Sequence, residues 1–116
     1  MIGLELAVRS DNAHRIEMLQ SLTDLAREAV GGGECLECGV FEDVSGSGRF
    51  LWAQWWRSQT QMEEHLRSSA FRTLLGAIRV LGSLESARTL DLQDSTSVMG
   101  AFLTNRGNLS GDGPEA

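Results

Sequence analysis

The first apolar positions of the chain alternate with small or polar ones. In "IGLELAV", Ile2, Leu4, Leu6 and Val8 are separated by Gly3, Glu5 and Ala7, and a period of two puts the four large side chains on one face of a strand. Ser10 and Asp11 then offer side-chain oxygens suited to a helix N-cap. Beyond them the period changes. Met18, Leu22, Leu25 and Ala29, with Leu19, Ala26 and Val30, recur at helical spacing among Glu17, Asp24, Arg27 and Glu28, which predicts an amphipathic helix over 13–30. "GGG" at 31–33 ends it, because glycine enters the helix-closing left-handed conformation without a Cβ penalty.

A second strand is predicted from Glu34 to Asp43, and "SGSG" at 45–48 turns the chain into a third, "RFLWAQWW", so that the two form a hairpin. After Trp56, either Ser58 with Gln61 or Thr60 with Glu63 has the spacing of a capping box. Met62, Leu66, Ala70, Leu74 and Ile78 make the buried stripe of a second helical stretch, which the pair Ser68 and Ser69 can divide in two. Gly82 closes that stretch, and "LESARTLDL" alternates as a fourth strand. Ser95 to Arg106 has the pattern of a short terminal helix around Val98, Met99, Phe102 and Leu103. The polar segment 107–116 holds the only proline and is expected to be disordered. One domain is therefore expected over 1–106.

The order β-α-β-β-α-β is the ferredoxin-like α+β arrangement, with two helices on one face of a four-stranded antiparallel sheet. Both parities of the hairpin carry apolar residues, which predicts a sheet covered on both sides. No spare helix is long enough to provide the second cover. A second copy of the chain is the expected one, giving a homodimer through the sheet.

A length of 116 residues is enough for one self-sufficient core. The net charge of −6 and ten dispersed basic residues, all arginine, argue against nucleic acid as a partner. No apolar run approaches a membrane span of about 18 residues, and the N-terminus lacks the basic, apolar and small-residue regions of a leader. A cytoplasmic location without membrane contact is the expectation. Tyrosine is absent, so no phenol can serve as a general acid.

Cys35 and Cys38 form a C-x-x-C, which suggests a redox pair or half of a metal site. On a strand, however, residues three apart point to opposite faces with alpha carbons about 10 Å apart, beyond the roughly 7 Å limit of a disulfide. There is no second C-x-x-C, and His14 and His65 are not at a finger-like spacing. Buried, inert thiols are expected, with no metal.

The stretch "WWRSQTQMEEHLRSSAFRTLLGAI", preceded by the hairpin, resembles the antibiotic biosynthesis monooxygenase domain family of the dimeric α+β barrel superfamily. Its recurrent pattern falls on Trp56, Ser58, His65, Leu66, Ser68 and Phe71. The resemblance implies a ferredoxin-like subunit that dimerises through its sheets into a barrel. It also implies one of several activities: oxygenation of quinols or aromatic polyketides without metal or flavin, haem degradation, or action on small signalling molecules. Departures narrow these. The haem-degrading branch uses an asparagine on the first strand and a histidine about ten residues beyond His65, where this chain has Ala7 and Leu75; the polyketide branch has an asparagine where this chain has Trp52. The Trp56 and His65 positions remain, as in the branch loosely called quinol monooxygenases, which this chain resembles there.

Cofactor-free oxygenation needs an electron-rich substrate, a dry pocket and a base, and an imidazole suits the last at neutral pH. His65 is thus the candidate catalytic residue, expected at the edge of the helix–sheet interface about 60° from Met62 on the helical projection. Trp52, Trp56 and Phe71 are the candidate substrate-binding residues; Trp52 and Trp56 share one sheet face, Trp55 takes the other, and a core role also suits Trp56. Arg72 and Arg88 are expected to pair at the surface with Glu63, Glu64 or Glu85. The glycine-rich segments lack the strand-to-helix setting of a phosphate loop. Two functions follow as expectations: a cofactor-independent monooxygenase of a quinol or related small aromatic, or a non-catalytic dimeric module of the same fold that binds a small apolar ligand or plays a structural part.

Overall fold

A computed structural model describes residues 1–31 and 35–91. Its elements are β1 (Ile2–Ser10), a 3₁₀ turn (Asn12–His14), α1 (Arg15–Gly31), β2 (Glu37–Glu42), β3 (Arg49–Trp56), α2 (Gln59–Leu66), α3 (Ser69–Leu81) and β4 (Gly82–Asp91). The strands form one antiparallel sheet in the order β2-β3-β1-β4, as the ferredoxin-like reading requires. The helix expected at Ser95–Arg106 and the tail 107–116 lie outside the described residues. None of the described helices is long and apolar enough to cross a membrane.

The register explains where the core sits. Ile2 lies opposite Trp56, Leu4 opposite Gln54, Leu6 opposite Trp52 and Val8 opposite Phe50, and all eight side chains are buried. Met18 and Leu22 of α1, Met62 of α2, and Leu74 and Ile78 of α3 close over them. At about 1.5–3 kcal/mol for each large apolar side chain removed from water, this single layer supplies most of what holds helices to sheet.

The other parity looks away from the helices. It presents Gly3, Glu5 and Ala7 on β1, Leu51, Ala53 and Trp55 on β3, and Glu37, Gly39 and Phe41 on β2. Gly3 leaves room here: a Cβ would stand 2.5 Å from the Trp55 ring, so the indole occupies space where a side chain is missing. Phe41 is 59% exposed, and the face is otherwise only half covered. Charges border it. Arg88 donates to Glu5 at 2.7 Å, and Arg9 to Glu85 at 2.9 Å. The Arg9 bond, with Arg9 and Arg49 charge adding, holds the Glu85 carboxyl below its usual range.

Several local expectations need correction. Ser10 belongs to β1, where its hydroxyl donates to the Gly48 carbonyl, and the Asp11 side chain makes no cap hydrogen bond. The chain leaves β1 through the 3₁₀ turn, so the strand's own pairing claims Ser10 before a helix can. Arg88 pairs with Glu5, and Arg72 with the Arg67 carbonyl, because the sheet ladder places Glu5 opposite Arg88.

The cysteine geometry also differs. The second strand starts at Glu37, so Cys35 precedes the ladder and the rule of opposite faces does not apply to it. Both thiols pack half-buried against the helix-side core. Burial, with the neighbouring Cys35 adding, pushes the Cys38 thiol up to about 12, which favours its protonated form; the full burial expected of both thiols is corrected to partial burial. Among the described residues no cluster of His, Cys, Asp and Glu could hold a metal ion.

One connection has no loop. Leu81 ends α3 and Gly82 begins β4, with the Gly82 N–H still donating to the Ile78 carbonyl. A Cβ at Gly82 would run into the Arg9 carbonyl oxygen of β1, which makes glycine the residue that lets the helix enter the sheet directly.

Candidate functional site

The helix side of β3 carries Trp52, Gln54 and Trp56 in succession. Past Trp56, the Ser58 hydroxyl accepts from the Gln61 N–H at 3.2 Å, the first of the two capping alternatives, and starts α2. Two turns later α2 stops, with His65 in its last turn. Ser68 then does two things. Its N–H and hydroxyl both donate to the His65 carbonyl, at 2.9 and 2.6 Å, and its hydroxyl accepts from the Phe71 N–H at 3.2 Å to start α3. The break at the serine pair is therefore the device that fixes the backbone of His65.

His65 is 7% exposed, deeper than the interface edge expected for it. The cause is the corner at Ser68, which folds α3 back over the imidazole. The Phe71 ring meets it edge-on at 5.6 Å, and the Trp56 ring lies tilted beneath it at 5.3 Å. Trp56 Nε1 is buried with no acceptor among the described residues, a condition that costs about 1–3 kcal/mol when nothing offsets it.

In front of His65 is a cavity of about 190 Å³. Leu25, Glu28 and Ala29 line it from the last turns of α1, Trp52 from the sheet, and Ala70 and Leu74 from α3. Of the four residues singled out from the sequence, His65 and Trp52 border this space. Trp56 and Phe71 border the imidazole and are not part of the cavity wall. The alanines matter, since small side chains at 29 and 70 leave the gap that larger ones would close.

Two polar residues at the site were missed by sequence reasoning, besides the apolar wall of Leu25, Ala29, Ala70 and Leu74. Gln54 is fully buried, accepts from Trp52 Nε1 at 3.0 Å and directs its own amide toward Cys35 Sγ at 3.8 Å; it thereby pins the indole that walls the cavity. Its signal was present, as the only polar side chain on the buried parity of β3. Glu28 was assigned to the polar face of α1, which was correct as far as periodicity goes. Periodicity does not reveal that this face borders a cavity.

Two shallower hollows exist among the described residues. One, of about 330 Å³, lies on the outer sheet face among Ala7, Phe41, Leu51 and Glu85. The other, of about 500 Å³, is an open groove between α1 and β2 at Arg27, Val30, Cys38 and Val40.

Comparison with known proteins adds a family and a fold. The family described as antibiotic biosynthesis monooxygenase matches residues 1–76. No curated protein matches the chain. A crystal structure from Deinococcus radiodurans, of a protein provisionally named an antibiotic biosynthesis monooxygenase, superposes with a TM-score of 0.73 at 22% identity, covering 81% of this chain and 94% of that one. A Bacteroides thetaiotaomicron protein of unknown function, described as a possible oxidoreductase, gives 0.71 at 18% identity over 78% of this chain and 96% of its own. A Caulobacter crescentus protein, also provisionally named an antibiotic biosynthesis monooxygenase, gives 0.71 at 17% identity, with 80% and 90% covered. At these identities the likeness is one of fold.

Proposed function

Because the chain belongs to the antibiotic biosynthesis monooxygenase family, we propose that it is a monooxygenase of small aromatic substrates, a quinol or a close relative, working in the cavity between α1 and α3. The observation that carries this reading is the cavity itself: about 190 Å³ of space, mostly apolar, with the His65 imidazole on its wall. A cavity near 150 Å³ already accommodates benzene, so this one suits one ring or two fused rings.

The chemistry follows from what the walls offer. Trp52, Leu25 and Leu74 receive the ring faces and exclude water, and His65 takes the hydroxyl proton. The resulting anion is electron-rich enough to pass an electron to dioxygen, which then combines with the ring carbon. Loss of water leaves a hydroxyquinone: one quinol and one dioxygen give one hydroxyquinone and one water, with the substrate supplying both electrons. Trp56 and Phe71 hold the imidazole in place by ring contact.

The apolar outer face of the sheet supports a dimer formed through Leu51, Trp55 and Phe41, as in the barrels the family resemblance implies. In such a pair the second cover of the sheet is the partner's own sheet.

Oxygen uptake with a panel of reduced quinones tests the activity. Turnover is expected in the wild type and should fall at least about tenfold in His65→Ala, the low end of a general base's contribution. No uptake by a folded wild type across the panel would sink the oxygenase reading and leave a ligand-binding module of the same fold.

A further inference from the structure

Among the described residues that line the His65 cavity, Glu28 alone is acidic, and the oxygenation chemistry makes no use of it. Leu25, Glu28 and Ala29 are three and four residues apart and so share one face of α1. Leu25 and Ala29 are partly buried and form apolar wall, whereas Glu28 is exposed and stands at the mouth. Arg27, the basic residue next to it on α1, is paired with Asp24 at 3.5 Å, and no ion pair among the described residues includes Glu28.

The backbone at that place has the same sign. Glu28 and Ala29 belong to the last turn of α1, whose final carbonyls lack intrahelical donors and carry the negative end of the helix dipole. Side chain and helix end thus both put negative potential at the entrance. The chain's net charge of −6 does nothing to oppose it.

We infer that Glu28 makes the cavity selective by charge, so that it admits a neutral hydroxylated aromatic of one or two rings and refuses the carboxylated counterpart. This rests on the reading of the cavity as a ligand site. A carboxylate can only accept hydrogen bonds, so the matching ligand is one that donates, and an aryl hydroxyl does. A ligand carboxylate offers no donor and brings a like charge close to Glu28 at the mouth.

Two probes with the same ring system, 1-naphthol and 1-naphthoate, separate these outcomes. Each is titrated calorimetrically at neutral pH into the full chain, wild type and Glu28→Gln, while the Trp52 indole N–H is followed by NMR to locate binding. Naphthol is expected to bind the wild type at least about tenfold more tightly than naphthoate. Glu28→Gln should shrink that ratio at least about threefold, chiefly through tighter naphthoate binding. If both probes shift the Trp52 signal and the ratio is the same in the variant, or naphthoate binds the wild type more tightly, the selector role is overturned while the cavity remains a ligand site. If neither probe shifts the signal, the ligand-site reading falls and the selector with it.

Discussion

The indole N–H of Trp52 donates to Oε1 of Gln54 at 3.0 Å, with both side chains on β3 and both shut off from solvent. This bond is the link between a polar group in the core and the wall of the cavity. Replacing Gln54 with alanine leaves the Trp52 N–H without its acceptor and opens a hole beside it. The unfolding free energy in urea should drop by about 2–4 kcal/mol. A loss below about 1 kcal/mol would show that the amide is not what fixes the indole.

The outer sheet face gives a prediction about assembly. Leu51 is half-buried there, across from Ala7 and Phe41. An arginine at 51 can reach water in a lone subunit but not between two apolar sheets. The wild type is expected to sediment as a dimer and Leu51→Arg as a folded monomer, with its unfolding in urea still cooperative. A monomeric wild type at micromolar concentration would remove the proposed dimer.

Cys38 gives a prediction about pH. Its thiol is raised from 9.0 to about 12, first by burial and then by Cys35. The folded state therefore holds this proton more tightly than the unfolded chain. The stabilisation is fully present below pH 9 and is lost as pH rises through about 12, the direction linkage requires. In a Cys35→Ser variant, where burial persists, iodoacetamide at pH 8.5 should modify folded Cys38 at least about a hundredfold more slowly than the urea-unfolded chain, because the thiolate reacts and the thiol does not. Equal rates would mean that the burial is not maintained in solution.

The elements of this fold were legible because their periods are clean. Ile2 to Val8 alternate, Met18 to Ala29 repeat at helical spacing, and the serines at 58 and 68 mark two helix starts. The parity of Trp52, Trp55 and Trp56 likewise separated the helix side from the outer side. What remained hidden depends on how elements meet. The depth of His65 comes from a corner that lays Phe71 over it, and the position of Cys35 from where the β2 ladder happens to begin. Glu28 borders the cavity only because α1 crosses the sheet beside Trp52 with alanines on both flanks of the gap. No single-element pattern encodes such a meeting.

The direct passage from Leu81 into Gly82 has a consequence for which changes in length the chain can accept. One residue added or removed there would turn α3 by about 100° relative to the strand and move every side chain of β4 to the opposite face. Between β2 and β3 the chain is more permissive beside Val44, which is fully exposed, although Gly48 farther on is held to Ser10 of β1. Relatives of this protein should therefore vary in length at the hairpin and keep the helix-to-strand junction to the residue.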